Sequence, residues 1–489
     1  MDIQYWVWTY ALLLATYFCM FNFVWRLNEW YYSIKLRKKQ YTLPPGDLGW
    51  PFVGNMLAFI KHFKSGHPDL FINNLVSKYG QNGIYKMHLF GNPSIIICEA
   101  EMCKRVLTDD ETFKIGYPKS TVEVVRCKCI WSFSRKEHKK FRRLISSLTI
   151  DRNILETYLS SIEDIVINSL EEISSMSQPV EFLKEMKNIS FNIIIDIFMG
   201  SYNQHIIAKI GDSFTEMHSA LFSLPVNLLG FAFRKGIKAR EKLVKLVKPI
   251  VEERRMMIKH GERKDLLDVF LDAKDEDGWK PEDEDIIDIL IGIVLAGHES
   301  TANSMMWSMI YLTQNPHILE KAKEEQEEIM KTRLPNQKHL SLKDIKKMNY
   351  LSQIINETLR LKNSNFAIFR EATIDVNING YTIPKGWKVL TWSRAIHMNP
   401  IYYPNPNEFN PSRWNDHNIK IGSFLPFGAG SRHCPGSDLA KIEISIFLHY
   451  FLLNYKLELV NPKCPITSLP SPKPIDNCLA KVIKVSRIA

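Results

Sequence analysis

Phe427 to Gly436 reads F-G-A-G-S-R-H-C-P-G, and it contains the residue best suited to chemistry, Cys434. Glycines at 428, 430 and 436 permit tight turns and let backbone approach a side chain closely. N–H groups brought near a sulfur in this way favour the thiolate. So do Arg432, two residues before Cys434, and a helix opening soon after. A thiolate in a close-fitting, glycine-lined turn is an arrangement for holding a metal. A lone cysteine is more often a small buried hydrophobe; the phenylalanine, three glycines and arginine around this one tip the reading toward the ligand. Zinc does not suit it, because no other cysteine or histidine stands at C-x-x-C spacing from Cys434. A dinucleotide fingerprint opening at Gly428-x-Gly430 lacks its third glycine, where His433 stands. The pair His298-Glu299 opens a metalloprotease helix motif whose second histidine is replaced by Ala302.

Elements must carry these residues. Glu282-Asp283-Glu284-Asp285 makes an acidic first turn suited to a helix dipole, and Ile286 to Leu312 follows, apolar nearly all round. Asp288, His298 and Glu299 inside that run are costly in lipid. The stretch therefore reads as a long helix through the core of a soluble domain. Gly297 within it costs ~1 kcal/mol against alanine, so a gain in backbone room is expected there. Ser300 and Thr301 follow; their plain alternative is hydrogen bonding back to the preceding turn. Glu357 and Arg360 stand three apart and share one helix face. Gly83 to Leu89 and Ser94 to Cys98 read as strands, and Val376 to Trp392 as a hairpin turning at Asn379-Gly380. Residues 400–436 are rich in proline, asparagine and glycine and read as loop, and Lys441 to Tyr455 as helix.

The chain has 489 residues with 45% hydrophobic and 24% charged, which excludes a disordered or collagen-like chain. Its net charge of +10 and pI near 9.0 allow an anionic partner without demanding one. Eight cysteines in this length do not make a disulfide scaffold. From Ile3 to Trp25 there is no charge, which as a helix spans the ~30 Å hydrocarbon core. Tyr5, Trp6, Trp8, Trp25 and Trp30 sit where an interfacial belt belongs, and Arg26, Lys35, Arg37, Lys38 and Lys39 follow. A cleaved signal peptide would start basic and be shorter. The expectation is a retained anchor over residues 1–30, lumenal at its start. A basic, proline-rich hinge over 31–46 contains Leu43-Pro44-Pro45-Gly46, and a cytosolic catalytic domain occupies 47–489.

The cysteine loop resembles the haem-binding loop of the haem-thiolate monooxygenases, the cytochrome P-450 superfamily. Three further stretches in the expected order resemble its other marks. Ala296-Gly297-His298-Glu299-Ser300-Thr301 is similar to the oxygen-activating stretch. Glu357-Thr358-Leu359-Arg360 is similar to the E-x-x-R pair, and Phe409-Asn410-Pro411-Ser412-Arg413-Trp414 to the loop carrying a second arginine. The resemblance covers the whole chain. It implies a mainly α fold with small β-sheets and one N-terminal transmembrane helix. The cofactor is then haem b, with Cys434 as axial thiolate ligand of the iron and with O2 and NADPH electrons used through a partner reductase. It implies that His138, Arg142, Arg370 and Arg432 serve the haem propionates, and that Glu299 with Ser300 or Thr301 delivers protons. Ala296 and Phe366, Ala367, Ile368 and Phe369 line the substrate pocket, while Glu357, Arg360 and Arg413 hold the cysteine loop as a carboxylate–guanidinium network. The proline pair usual after E-x-x-R is missing from Leu361 to Asn365. Lys136, Lys139 and Lys140 offer a basic face to an acidic electron donor.

Finer resemblance points to the substrate. Gly46 to Asn55, Phe71 to Gly80, His88 to Glu99 and Arg105 to Ser120 resemble the plant ent-kaurenoic acid oxidase group. Asp375 to Trp387 and Asp476 to Val485 are more similar to its legume β-amyrin 11-oxidase branch. This implies C-11 oxidation of a β-amyrin-type triterpene on the endoplasmic reticulum membrane; the alternative is multi-step oxidation of ent-kaurenoic acid. A redox-independent haem-thiolate isomerase or dehydratase, and a non-catalytic haem- or sterol-binding membrane protein, sit poorly with an intact oxygen-activating stretch. The partners expected are a reductase, membrane lipid and a lipophilic terpenoid, with no nucleic acid. Cys127, Cys129 and Trp131 fall in a segment expected to cover the pocket.

Overall fold

The computed structural model describes residues 2–36, 41–126, 133–150, 152–200, 204–257, 265–273, 280–333, 337–415 and 419–485. Cys127, Cys129 and Trp131 lie outside them. The chain divides into two compact units, residues 1–118 with 367–395, and residues 119–366 with 396–489.

The first unit begins with the helix Asp2–Leu36. It is long and apolar enough to cross a membrane, with nothing in its apolar window buried by protein. It runs past the expected end of the anchor at residue 30. A five-stranded sheet follows, made of β1 (Ile84–Leu89), β2 (Asn92–Ile97), β3 (Phe113–Ile115), β4 (Ile368–Ala372) and β5 (Lys388–Thr391). The order is β1-β2-β5-β4-β3, with only β2 and β5 parallel. Phe90 and Gly91 both take positive φ, which suits the two-residue turn joining β1 to β2. Ile95, Ile96 and Ile97 are buried in succession, as a β-branched strand covered on both faces should be.

The expected hairpin from Val376 to Trp392 is only half present. Asn379 and Gly380, both at positive φ, do close Val376–Ile378 on Tyr381–Ile383. A second turn, in which Trp387 N–H donates to Pro384 O at 3.1 Å past the left-handed Gly386, then sends the chain into β5 of the main sheet.

The second unit is built on the helix Asp283–Gln314. Its first half, Ile286 to Leu295, is buried in one apolar cluster, and its second half, Ala302 to Leu312, in another. Each buried Leu, Ile or Met contributes roughly 1.5–3 kcal/mol, and this makes it a core helix rather than a second span. Asp288 inside the run is paired with Arg240 of the helix Ala232–Met257. A Cβ at Gly297 would come within 2.7 Å of Ile194 Cδ1, on the neighbouring helix Phe182–Met199. On that side the glycine allows the two helices to pack closely. After the short helix Ser393–His397 a long loop leads to the helix Ser437–Asn454; its regular pieces, among the described residues, are two short 3-10 turns, Pro411–Asn415 and Gly430–Arg432, the first packed against the helix Asn349–Leu361.

Candidate active site

Cys434 N–H donates to Phe427 O at 2.9 Å and closes the cysteine loop on itself. Gly428 and Gly430 sit at φ 75° and 74°, in the region that favours glycine. Gly436 does not: its φ is −93°, and an added Cβ would meet nothing within 4 Å. Neither strain nor packing inside the protein asks for glycine beside the sulfur. From Pro426 to Ile442 the loop and the first helical turns are mostly half-exposed, and only from Glu443 does the helix become fully buried. Phe427, Leu439 and Ile442 form the apolar edge of this strip. A single soft donor on a half-open apolar surface fits a flat, hydrophobic metal macrocycle, and no group of His, Cys, Asp or Glu among the described residues could hold a bare metal ion.

The electrostatics differ from the expectation in two ways. Burial is the largest influence on Cys434 and pushes its thiol up, while the Gly436 N–H and the Arg142 charge pull it down by less. The thiolate is therefore not favoured by the loop alone. The cation that faces the loop is Arg142, whose Nη1 donates to His433 O at 2.8 Å. Arg432 turns to Phe133 O at 3.2 Å. Arg142 stands on the helix Arg135–Ile150 one turn after His138, which is buried. Arg370 belongs to the first unit, buried on β4 opposite Val389 and Ile115.

Glu357 and Arg360 are both completely buried and joined by two bonds, Nη2 to Oε1 at 2.8 Å and Nε to Oε2 at 2.9 Å. Arg413 Nε reaches the same carboxylate at 2.8 Å, so the three residues expected to form a network do meet. Two donors were not foreseen. Trp414 Nε1 donates to Glu357 Oε2 at 3.0 Å and Asn410 N–H to Oε1 at 3.0 Å. Arg360 also donates to the carbonyls of His397, Pro406 and Glu408 and lies over the Tyr403 ring.

On the central helix, Ala296 is exposed and Gly297 and Ser300 half-exposed in the middle of an otherwise buried element. Ser300 Oγ donates to Ala296 O and Gly297 O. Thr301 is buried, its hydroxyl committed to Gly297 O at 3.0 Å. Glu299 is buried against a cluster the sequence did not reveal. Lys187 Nζ donates to its Oε1 at 2.8 Å, and His218 Nδ1 and His298 Nε2 lie 3.7 and 3.9 Å from it. Burial raises the Glu299 carboxyl, but His218, Lys187 and His298 more than offset this and lower it to about 2. Burial brings His298 down to about 4. Glu299 is thus an ionised acceptor held by a cation.

The residues expected to line a substrate pocket fall in both units. Phe366 is buried with its ring 5.8 Å from Phe222 in the second unit. Strand β4 begins only at Ile368, and Phe369 packs against Phe90 and Tyr117 in the first unit. A surface pocket of the second unit, between Trp307, Tyr311, Lys362, Leu459, Asp476 and Leu479, includes none of the residues expected to touch substrate.

Glu443, nine residues after the cysteine, also escaped sequence reasoning. It is fully buried, with Ser190 Oγ at 3.2 Å, and burial lifts its carboxyl to about 8. The native state therefore holds a proton that the unfolded chain releases near its ordinary value. The stability this confers is complete below about pH 4.5 and is lost as pH rises through about 8, by up to ~1.4 kcal/mol per pH unit. Glu443→Gln keeps a partner for Ser190 without titrating. Its melting temperature is expected to exceed that of the parent at pH 8 and to converge with it near pH 5; parallel curves would count against the buried acid.

Residues 44–479 match the family model described as Cytochrome P450. A beta-amyrin 11-oxidase of Glycyrrhiza uralensis is 63% identical over 99% of this chain and 100% of its own. A 7,8-epoxymelianol synthase of Citrus sinensis is 50% identical over 97% and 98%. Ent-kaurenoic acid oxidase 1 of Arabidopsis thaliana is 46% identical over 94% of each. Among solved structures, the retinoic acid bound cyanobacterial CYP120A1 superposes with a TM-score of 0.82 at 26% identity, covering 91% of this chain and 100% of that one. The chain belongs to the cytochrome P450 family of monooxygenases, which use haem with a cysteine thiolate, O2, and NADPH electrons supplied by a reductase.

Proposed function

We propose that the chain is an anchored monooxygenase of the endoplasmic reticulum, with its catalytic domain in the cytosol, that oxidises C-11 of a β-amyrin-type triterpene. The observation that carries this reading is the 63% identity, over essentially the full length of both chains, to a beta-amyrin 11-oxidase, against 46% to an ent-kaurenoic acid oxidase. Product analysis tests it. The chain is co-expressed with a plant NADPH reductase in yeast microsomes and given β-amyrin and ent-kaurenoic acid in parallel. An 11-oxygenated triterpene is expected; turnover of the diterpene acid alone would replace the reading.

Haem held by a thiolate supplies the activation of O2 for insertion of one oxygen atom into a C–H bond. Cys434 is assigned as its ligand, Arg142, Arg432, Arg370 and His138 as partners of its propionates, and Glu357, Arg360 and Arg413 as the brace of the cysteine loop. Ala296 and the apolar run Phe366 to Phe369 are assigned to the substrate wall. Lys136 and Lys139, both exposed, and half-buried Lys140 would receive the reductase.

Proton movement falls to three side chains. Lys187 keeps Glu299 ionised by donating a hydrogen bond to its Oε1, and Ser300 Oγ passes the proton on. Both hydroxyls donate to the preceding turn, and Ser300 rather than Thr301 is assigned this step because it is half-exposed and Thr301 is buried. Ser300→Ala is therefore expected to cut product formed per NADPH consumed by on the order of 10², and Thr301→Val to change it little. The reverse order would transfer the role to Thr301.

A further inference from the structure

We propose that Asn303 of the central helix is a positioning residue that sets which C–H bond of the substrate is attacked, by tying residues 362–366 to the helix through Ser364 and so fixing Phe366. This rests on the assignment of Phe366 to the substrate wall. The chain departs from its family in this stretch: Leu361 to Asn365 lacks the proline pair, which would fix φ at two positions. Asn363, Ser364 and Asn365 stand there instead, and such residues favour turns without locking the backbone in one conformation. Phe366 therefore needs a restraint from outside the stretch if the wall is to keep one shape.

The central helix supplies it. The helix Asn349–Leu361 ends with Lys362 N–H donating to Thr358 O at 2.8 Å, and the chain then runs back along the central helix. Ser308 Oγ donates to Thr358 Oγ1 at 3.3 Å, Lys362 Nζ lies over the Trp307 ring at 4.5 Å, and Asn303 Nδ2 donates to Ser364 Oγ at 3.3 Å. As the chain advances from 358 to 364, its contacts retreat along the helix from 308 to 303, more than one turn toward Ser300. Trp307 is itself held, its Nε1 donating to Pro472 O at 2.8 Å. The Asn303 bond comes last in this series and stands nearest in sequence to both Phe366 and Ser300. Phe366 follows two residues after Ser364, buried, with the Phe222 ring 5.8 Å from its own.

Stability does not explain an asparagine at this place. Asn303 is 1% exposed, and its Oδ1 meets no donor among the described residues. A buried amide with half its capacity unmet is less favourable than a leucine of similar size. Ser364 makes no other hydrogen bond among the described residues. A single bond from a rigid core helix to a stretch of turn-forming residues is a device for placement. Placement is what selectivity needs. Reacting atoms must meet within roughly 3–3.5 Å, and neighbouring C–H bonds of a fused-ring hydrocarbon differ in position by less than that.

The test uses the full chain in yeast microsomes with a plant NADPH reductase. The probe is whichever of β-amyrin and ent-kaurenoic acid the parent oxidises. Asn303→Leu keeps the side-chain size, Ser364→Ala removes only the hydroxyl, and Phe366→Ala removes the wall. The ratio of the main oxygenated product to its regioisomers is read by mass spectrometry after chromatography, at equal haem content. In Asn303→Leu and in Ser364→Ala that ratio is expected to fall about fivefold, equivalent to ~1 kcal/mol, with the parent's carbon monoxide spectrum retained. The double variant should fall no further than either single, because both remove the same bond. Ser364→Thr keeps the hydroxyl at a half-exposed site and should give the parent's ratio. If Asn303→Leu fails to fold, Ser364→Ala against Ser364→Thr decides alone. An unchanged ratio in Asn303→Leu and Ser364→Ala, with a changed one in Phe366→Ala, overturns the tie and leaves the wall. Falls that add in the double variant are two separate packing losses and overturn the tie as well. An unchanged ratio in all three single variants overturns the wall reading itself.

Discussion

Cys434→Ala is expected to give a folded chain that has lost the thiolate-type Soret signature of reduced haem with carbon monoxide. Product formation should fall by about 10³-fold or more, equivalent to ~4 kcal/mol of barrier. The two halves of this result have separate causes. The loop is closed by the backbone of residue 434, whose N–H donates to Phe427 O, and by the left-handed glycines 428 and 430; none of these needs the sulfur. Removing one half-exposed thiol leaves no large cavity, so the melting temperature should move by little. What disappears is the one soft donor in the strip from Pro426 to Ile442. Burial pushes the free thiol up, and the positive metal it meets favours the thiolate. Microsomes of the variant and the parent, compared by carbon monoxide difference spectra and by thermal melting, check both halves. A surviving thiolate signature in the variant would remove Cys434 from the ligand role.

What could be read from the sequence was local. Cys434 with its glycines, and Glu357 with Arg360 three residues on, carry their meaning within a few positions, and the helices beneath them follow from apolar periodicity. Their longer-range partners have no such signal. Lys187 meets Glu299 across 112 positions, and Ser190 meets Glu443 across 253, each on the face of another helix. The choice of Arg142 over Arg432 as the cation facing the cysteine loop depends on how the helix Arg135–Ile150 is laid down, which charge counting near the cysteine does not include. The same limit covers Asn28 and Glu29, whose partners Leu48, Trp50 and Lys86 lie 19 or more positions further on. The pattern of Trp387 to Trp392 suits either a hairpin or the main sheet, and the turn at the left-handed Gly386 takes it into the sheet.

Arg360→Ala should be the most damaging change to the fold of the second unit. A buried ion pair is weak evidence for net stability, since desolvation can cancel its attraction, yet deleting one partner typically costs ~3–5 kcal/mol. Here the pair does more than neutralise itself. The guanidinium donates to both oxygens of Glu357 and to the carbonyls of His397, Pro406 and Glu408. His397 O is the last carbonyl of the short helix Ser393–His397, and Pro406 O and Glu408 O lie in the long loop before the cysteine, where no strand or helix would satisfy them. Arg360→Lys keeps the charge but loses the planar fork, and it should fall between the parent and Arg360→Ala in melting temperature. Arg413→Ala removes one bond to Glu357 and one to Pro404 O at a partly accessible site, and should cost less than either. The decisive comparison is the double variant Glu357→Leu/Arg360→Leu. If the pair mattered only as two charges, removing both would restore much of the loss. With three carbonyls, the Trp414 indole and the Asn410 N–H deprived of these bonds, the double variant should remain as unstable as Arg360→Ala, and recovery toward the parent in a thermal melt would show that the arginine braces nothing beyond its own carboxylate.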